Sequence, residues 1–279
     1  MRQKKGFTLI ELLVVIAIIA LLLAILMPSL KKAKKIAQDV ICRSNLKQWG
    51  VIWKIYTQEN DGKLPDCTGF GALRGDWIVA LRDDYPTGKI TKCPSAIKVN
   101  ESFKGGGTNF AYINTRDSNN NPEETCSYGM NNWSYSTGHW AMGANNGADK
   151  VWGRFEVGGA STNTIPLFMD SAYRGGFPEY GGYDSIDMVL SEEPLPDNGF
   201  TRVMHGIRQF AMPRHSSGAK VGTNVTFFDM SARHVMVKEM WSLKWHKQFD
   251  TNRWRTDRAT IWPGDGTGTT WLDKLSENF

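Results

Sequence analysis

The sequence contains none of the short motifs that mark common enzymes and metal sites. Its five histidines include no His-Glu-x-x-His pair, and neither a Gly-x-Ser-x-Gly turn nor a Gly-rich phosphate loop is present. The four cysteines include no Cys-x-x-Cys pair, which argues against a zinc or thioredoxin-like site. The net charge is only +5 over 279 residues, so composition gives no support for nucleic-acid binding. These absences favour a protein without catalytic activity.

Charge is also missing from a long apolar run near the amino terminus. Residues 12–27 carry no charged side chain, whereas residues 1–6 carry three cations and no acid. The 21 residues from Phe7 to Met27 would span roughly 31 Å as a helix, which is close to the thickness of bilayer hydrocarbon. No convincing Ala-x-Ala cleavage site follows the run, so we expect the helix to be retained. The basic leader predicts that the amino terminus stays in the cytoplasm.

One acidic residue, Glu11, interrupts this apolar segment. A carboxylate inside a membrane helix costs about 2.5 to 3.5 kcal/mol at mid-bilayer, so it usually has a partner or a function. Phe7 lies four residues earlier. If the chain were cut after Gly6, the free amine of Phe7 would offer Glu11 a cationic partner, within one chain or between neighbouring chains.

Residues 5–20, KGFTLIELLVVIAIIA, closely resemble the class III signal of type IV prepilins and type II secretion pseudopilins. The resemblance implies that a prepilin peptidase cuts between Gly6 and Phe7 and methylates the new amine of Phe7. It also implies that Glu11 is the carboxylate required for filament assembly. Pro28 stands where many family members have a proline that lets the helix bend; the alternative is a proline that only marks the membrane interface.

Apolar residues at spacings of three and four between Leu30 and Tyr56 predict that the helix continues as an amphipathic rod. The sequence Asn60-Asp61-Gly62-Lys63-Leu64-Pro65 predicts its end. We therefore divide the chain into a leader (1–6), a transmembrane and filament-core helix (7–27), an outer half of the helix (28–60) and a globular head (61–279). The expected fold is α+β, a pilin-like lollipop.

In the head, short apolar runs predict an antiparallel β-sheet. The predicted strands are Trp77–Leu81, Ile90–Cys93, Thr164–Met169, Arg208–Met212 and Val221–Phe228. A tight turn at Asp229–Ser231 predicts a hairpin within Asn224–Val237, followed by an amphipathic helix over Lys238–Phe249. With Arg214-His215 upstream, this region resembles the carboxy-terminal part of large families of prepilin-like proteins.

The four cysteines lie outside the membrane in this topology, and an oxidising compartment favours two disulfides. Three pairings are possible. We favour Cys42 with Cys93, which would join helix to sheet, and Cys67 with Cys126. No cofactor is expected, although some pseudopilins bind calcium.

Three possible sites in the head are weak. An acidic run could supply oxygen ligands for calcium, although it has no EF-hand pattern. Its residues are Asp184, Asp187, Glu192 and Glu193, and the alternative run consists of Asp117, Glu123 and Glu124. We interpret His205, His215 and Asp229 as polar partners of turns and helix ends rather than as a site, and the tryptophans as core or interface rather than a sugar platform.

These patterns predict a non-enzymatic subunit of a type II secretion pseudopilus or a type IV pilus-like filament. It would be stored in the bacterial cytoplasmic membrane with its head outside, and would later enter a periplasmic or extracellular filament. Its expected partners are other pilin-like subunits, the prepilin peptidase and the assembly machinery, and not nucleic acid. The alternative is a membrane-anchored extracytoplasmic protein, for example glycan-binding, that does not polymerise.

Overall fold

The structure is a computed structural model that describes the long helix and the central part of the head. The described residues are 7–66, 76–85, 90–99, 110–116, 122–137, 147–157, 161–178, 207, 210, 213–215 and 221–253. The chain divides into two compact units, Met1–Gln38 and Asp39–Phe279.

Helix α1 extends from Leu9 to Glu59 and includes Pro28. Of the helices that the structure describes, α1 is the one that is long and apolar enough to cross a membrane. It ends at the predicted place: Asp61 and Gly62 both have positive φ angles (54° and 74°), and the Gly62 amide donates to the Thr57 carbonyl at 2.6 Å. Glycine adopts this left-handed conformation without steric cost, which stops the helix.

The two parts of α1 differ in burial. In the first unit, the large apolar side chains of residues 9–36 are exposed. In the second unit, one face of the helix is buried, with Cys42, Asn45, Leu46, Trp49, Gly50, Ile52, Trp53 and Thr57. The predicted amphipathic stripe is therefore confirmed from Leu46 onward. Its earlier positions, including Val40 and Ile41, are exposed instead.

The described part of the head contains a short α-helix and two sheets. Helix α2 comprises Asp76–Ala80. The strands are β1 (Lys98–Val99), β2 (Phe110–Arg116), β3 (Pro122–Cys126), β4 (Tyr128–Asn131), β5 (Pro166–Asp170), β6 (Gly175–Gly176), β7 (Gly222–Phe227) and β8 (Ala232–Met236). One sheet has the order β1-β2-β3 and the other the order β6-β4-β5-β7-β8. The pairs β1–β2 and β4–β6 are parallel and the others antiparallel, so the sheets are mixed rather than wholly antiparallel.

The strand predictions were correct in the centre of the larger sheet and wrong near α2. Strands β5 and β7 confirm the predictions for Thr164–Met169 and Val221–Phe228. Residues 77–80 instead belong to α2, and Ile90–Cys93 forms no strand. Short apolar runs do not distinguish a buried strand from a buried helical turn. The run Arg208–Met212 lies almost entirely outside the described residues.

The predicted hairpin is present. Strands β7 and β8 pair from Gly222 with Met236 to Thr226 with Ala232. In the turn, the exposed Asp229 carboxylate accepts hydrogen bonds from the Ser231 amide and hydroxyl. The predicted helix after it is only a 3₁₀-helix at Lys238–Ser242. The apolar residues whose spacing predicted the helix are nevertheless all buried, namely Val237, Met240, Trp241, Trp245 and Phe249.

Aromatic rings join α1 to the larger sheet. The Trp49 ring lies 5.5 Å from the Trp77 ring, 4.8 Å from Tyr85 and 5.0 Å from Phe168 on β5. The Thr226 hydroxyl of β7 donates to the Leu46 carbonyl at 2.8 Å. These contacts hold the segment of α1 that starts at Cys42 against strands β5 and β7.

Candidate functional site

The start of α1 carries the first group of predicted functional residues. Thr8 precedes the first helical residue, and Glu11 is the third residue of the helix. The Glu11 carboxylate accepts from the Thr8 amide at 2.9 Å and from the Thr8 hydroxyl at 2.7 Å. The Glu11 amide lies 3.3 Å from the Thr8 hydroxyl oxygen, which accepts from it. This reciprocal arrangement is a capping box, which satisfies amide groups that the first helical turn leaves unpaired.

The capping box was missed in the sequence, although Thr8-Leu9-Ile10-Glu11 has the required spacing. It gives Glu11 a partner within its own chain. Phe7 is 72% exposed, and Gly6 lies outside the described residues. Cleavage after Gly6, methylation of Phe7 and the assembly role of Glu11 therefore stay predictions.

Pro28 lies inside α1, not at its end. Proline has no amide hydrogen, so it cannot donate to the carbonyl of Ala24 one turn earlier. The hydroxyl of Ser29 donates to the Leu26 carbonyl at 2.8 Å in the same turn of the helix. The bend predicted at Pro28 stays a prediction.

A second group of polar side chains lies buried in the head. It consists of Cys42 on α1, Cys93 in the loop after Ile90, Asp170 at the end of β5 and His215 in the 3₁₀-helix Pro213–His215. Their potential ligand atoms all lie within 4.8 Å of one another. We call these four residues the Cys-Asp-His cluster.

Direct contacts connect the four side chains. Asp170 Oδ2 lies 3.4 Å from Cys42 Sγ and 3.1 Å from His215 Nε2. The same His215 nitrogen lies 3.2 Å from Cys93 Sγ. One histidine nitrogen and one carboxylate oxygen therefore point at the two sulfur atoms.

Hydrogen bonds between side chains and backbone groups position the loop that carries Cys93. The indole of Trp49 donates to the Ile90 carbonyl at 2.9 Å, and the Asn45 amide group donates to the Lys92 carbonyl at 3.2 Å. These two bonds attach the loop that carries Cys93 to the helix that carries Cys42. The Cys93 amide in turn donates to the Ser127 hydroxyl at 2.7 Å, which ties the loop to the segment between β3 and β4.

A second layer of polar groups surrounds the cluster. Arg214 donates to Asp170 Oδ1 at 2.7 Å and to the Ser127 carbonyl at 2.8 Å, and both side chains of this ion pair are fully buried. His215 Nδ1 lies 3.3 Å from Asp39 Oδ1, which also accepts from the Asn224 side chain at 2.8 Å. Each charged group of the cluster thus has a partner of opposite charge or a hydrogen-bond donor.

Charge inside the cluster changes the pKa values of its members. Burial opposes ionisation of Cys93, but hydrogen bonds with Cys42 and His215 lower the pKa of the Cys93 thiol to about 6. Burial and the neighbouring Cys93 and Asp170 raise the pKa of Cys42 well above its usual value. Burial lowers the pKa of His215, but Asp170 and Cys93 outweigh it and raise that pKa to about 10. The cluster therefore favours one thiolate beside a protonated histidine.

The structure brings together only some of the residues considered from the sequence. Cys42 and Cys93 are adjacent, as the predicted disulfide requires, but both are unbonded thiols, so the bond stays a prediction. Cys126 is a buried free thiol and Cys67 lies outside the described residues. His215 is buried beside Asp170, whereas Asp229 is exposed in the β7–β8 turn and His205 lies outside the described residues.

The calcium-site and sugar-binding hypotheses concern acidic residues and tryptophans of the chain. The calcium candidates Asp184, Asp187, Glu192 and Glu193 lie outside the described residues, as does Asp117 of the alternative run. Glu124 of that run is buried on β3, where its carboxylate accepts from the Tyr85 hydroxyl at 3.2 Å. The tryptophans that the structure describes are all buried, at positions 49, 53, 77, 133, 152, 241 and 245. Trp241 and Trp245 are therefore core residues, as expected, and not a sugar-binding platform.

Local spacing could not reveal the Cys-Asp-His cluster, because its members come from four separate segments. The absence of a Cys-x-x-Cys pair excludes only zinc sites with two neighbouring cysteine ligands. Two features of the sequence did point to the region: the Arg214-His215 pair and the predicted disulfide between Cys42 and Cys93. Asp170 carried no signal, since it appears only as the last residue of an apolar strand.

Comparisons with known proteins concern mainly a limited part of this chain. The prokaryotic N-terminal methylation motif matches residues 1–27. The chain is 48% identical over 61 residues to the type IV wide pilus major component PilA4 of Thermus thermophilus; the match covers 22% of this chain and 47% of that protein, so the chain spans about half the length of this relative.

Two further relatives are matched over most of their length. The ComG operon protein 3 homolog of Bacillus licheniformis is 36% identical over 90 residues, which is 32% of this chain and 90% of that protein. Competence protein ComGC of Halalkalibacterium halodurans is 33% identical over 97 residues, which is 35% of this chain and 83% of that protein. No solved structure matches the chain at a comparable level of significance. With its methylation motif, its long amino-terminal helix and these matches, the chain belongs to the family of type IV pilin-like proteins.

Proposed function

We propose that this chain is a structural subunit of a filament, either a type IV pilus or a type II secretion pseudopilus. The observation that carries the proposal is the methylation motif over residues 1–27, which leads into a helix whose apolar side chains are exposed from Leu9 to Met27. Exposed apolar surface on this scale requires lipid or other helices to cover it. Membrane storage followed by helix packing in a filament provides both.

The same proposal assigns a separate role to each segment of the chain. Residues 1–6 serve as a cytoplasmic leader, residues 7–27 as membrane anchor and filament core, residues 28–60 as the outer part of the helix, and the head lies outside the cytoplasm. Pro28 allows the helix to bend during packing. Exposed lysines at positions 31, 32, 34 and 35 would then lie beside the membrane surface, where basic side chains attract anionic lipid headgroups.

The proposed processing can be tested by the mass of the mature amino terminus. We expect the chain isolated from its own cells to lack residues 1–6 and to begin with methylated Phe7. A Gly6→Val variant, which alters the residue before the cleaved bond, should keep its leader and its initiating methionine. A wild-type chain that still begins at Met1 would contradict the proposal.

Assembly can be tested separately on the extracellular material. Shearing cells should release filaments that contain the mature wild-type chain, detected by immunogold labelling, and cells that express Gly6→Val should release none. A wild-type chain that is processed but stays wholly in the membrane fraction would instead favour an anchored binding protein that does not polymerise.

A further inference from the structure

We propose that Cys42, Cys93, Asp170 and His215 bind one zinc ion inside the head. The ligand atoms would be the two sulfur atoms, Asp170 Oδ2 and His215 Nε2. This mixture of thiolate, imidazole and carboxylate ligands is typical of zinc in proteins. The proposal does not depend on filament assembly, because all four residues belong to the unit Asp39–Phe279.

The distances fit tetrahedral coordination. Zinc lies about 2.0 to 2.3 Å from nitrogen, oxygen and sulfur ligands, which separates the ligand atoms of a tetrahedron by roughly 3.3 to 3.8 Å. In the cluster, His215 Nε2 lies 3.2 Å from Cys93 Sγ and 3.1 Å from Asp170 Oδ2, and Cys42 Sγ lies 3.4 Å from Asp170 Oδ2. An expansion of a few tenths of an ångström at these pairs would admit the ion.

The groups that form hydrogen bonds with the four ligand side chains are of the kind that orient metal ligands in other proteins. A histidine that binds zinc through one nitrogen generally donates from the other nitrogen to a carboxylate or carbonyl. His215 Nδ1 lies 3.3 Å from Asp39 Oδ1, as this role requires. The Ser95 amide donates to Cys93 Sγ at 3.4 Å and the Tyr128 hydroxyl donates to Cys42 Sγ at 3.4 Å, and such donors stabilise thiolates.

The charges balance when the ion is present. Binding of the ion would release the protons of Cys42 and His215. Two thiolates and the Asp170 carboxylate then carry three negative charges, and neutral His215 adds none. Zinc and the buried Arg214 supply three positive charges. Arg214 binds Asp170 through Oδ1, and Oδ2, which accepts from the Asn224 amide at 3.2 Å, retains a lone pair for the ion. A neutral assembly is required at a position where all four ligands are buried, because uncompensated charge there is costly.

Four protein ligands and full burial point to a structural ion. Catalytic zinc sites keep a position open for water, whereas closed four-ligand sites stabilise a fold. Here the ion would join α1, the Cys93 loop, β5 and the segment Pro213–His215. A Cys42–Cys93 disulfide would use the same sulfur atoms, but it would account for only two of the four converging groups.

The first test uses the full-length wild-type chain, purified in detergent from cells grown with zinc. We expect about one zinc per chain by elemental mass spectrometry. After exchange with cobalt(II), we expect a thiolate-to-metal charge-transfer band and the visible absorption of tetrahedral cobalt. A chain without zinc and two hydrogen atoms lighter, with the bond mapped to Cys42 and Cys93, would overturn the proposal in favour of the disulfide.

Matched variants localise the ion. Cys93→Ser and His215→Gln should each lose the bound zinc, whereas Cys126→Ser removes an equally buried thiol outside the cluster and should retain it. Zinc kept by Cys93→Ser, or lost equally from all three variants, would overturn the assignment. If the ligand variants fail to fold, the cobalt spectrum of the wild-type chain still decides, because absence of the charge-transfer band excludes thiolate ligands.

Discussion

At the scale of single residues, Glu11 combines two interactions that are separable by mutation. Its carboxylate caps the first turn of α1 through Thr8. In the proposed filament, its negative charge also compensates the methylated amine of Phe7 on a neighbouring subunit. The cap needs only an oxygen acceptor, whereas the ion pair needs the charge.

The variant Glu11→Gln tests this distinction, because its amide oxygen can still accept from Thr8. We expect normal membrane insertion but a reduction of sheared filaments by about tenfold or more, since each 1.4 kcal/mol of lost interaction changes an association constant tenfold. Thr8→Val, which removes the capping hydroxyl but keeps the charge, should retain filaments. Wild-type filament yield from Glu11→Gln would show that capping alone is required.

At the scale of elements, the buried face of α1 is the main connection between the helix and the sheet. Trp49 contacts three aromatic rings, and its indole nitrogen donates to the carbonyl of Ile90, three residues before Cys93. The packing of one side chain therefore supports both the core and the Cys-Asp-His cluster.

We expect Trp49→Ala to destabilise the head by about 3 to 5 kcal/mol, because it leaves a large cavity among packed rings. Val51→Ala on the same helix is the control: Val51 is 51% exposed, so its truncation should change the free energy of unfolding by less than about 1 kcal/mol. Chemical denaturation monitored by near-ultraviolet circular dichroism measures both. Equal effects of the two variants would contradict the assigned face.

The segment after β8 differs from the predicted helix in its backbone structure, but its apolar side chains are buried as predicted. The spacing of Val237, Met240, Trp241, Trp245 and Phe249 predicted a helix, and all five side chains are buried. The backbone forms only a 3₁₀-helix, and the Lys244 amide then donates to the Thr164 carbonyl at 2.9 Å. A hydrogen bond to another part of the head replaces the helical one, so tertiary contact overrides the local preference.

At the scale of the whole molecule, the exposed apolar helix and the packed core occupy different units. Among the residues that the structure describes, the hydrophobic core begins at Cys42, and none of its members belongs to Met1–Gln38. The apolar surface that requires lipid or a filament is therefore separate from the surface that stabilises the head.

A chain that begins at Ser29 should consequently fold without detergent. It lacks residues 1–28 but retains every core residue, so we expect a soluble monomer by size-exclusion chromatography, with near-ultraviolet circular dichroism like that of the full-length chain. The full-length chain, which keeps residues 7–27, should require detergent under the same conditions. Aggregation of the shortened chain, or loss of its near-ultraviolet signal, would show that the first unit contributes to folding of the head.

The helical structure of the amino-terminal segment was predictable from its own residues, without tertiary contacts. The uncharged run of residues 12–27 predicted the long helix, because helix length and transfer from water depend on local composition. The pilin-like family was indicated by the resemblance of residues 5–20, with Gly6, Phe7 and Glu11, to prepilin signals. The Gly62 stop and the β7–β8 hairpin were also predictable, since turn residues act through their own backbone preferences.

Only the tertiary structure decided which side chains meet in the head. Cys42, Cys93, Asp170 and His215 are far apart in the chain and have no common spacing, and the fold brings them together through the contacts of α1 with β5 and β7. Likewise, residues 77–80 form a helix rather than a strand because packing decides the structure of short apolar runs. Local sequence specifies elements through short-range backbone preferences, whereas a site made from four separate segments depends on long-range packing.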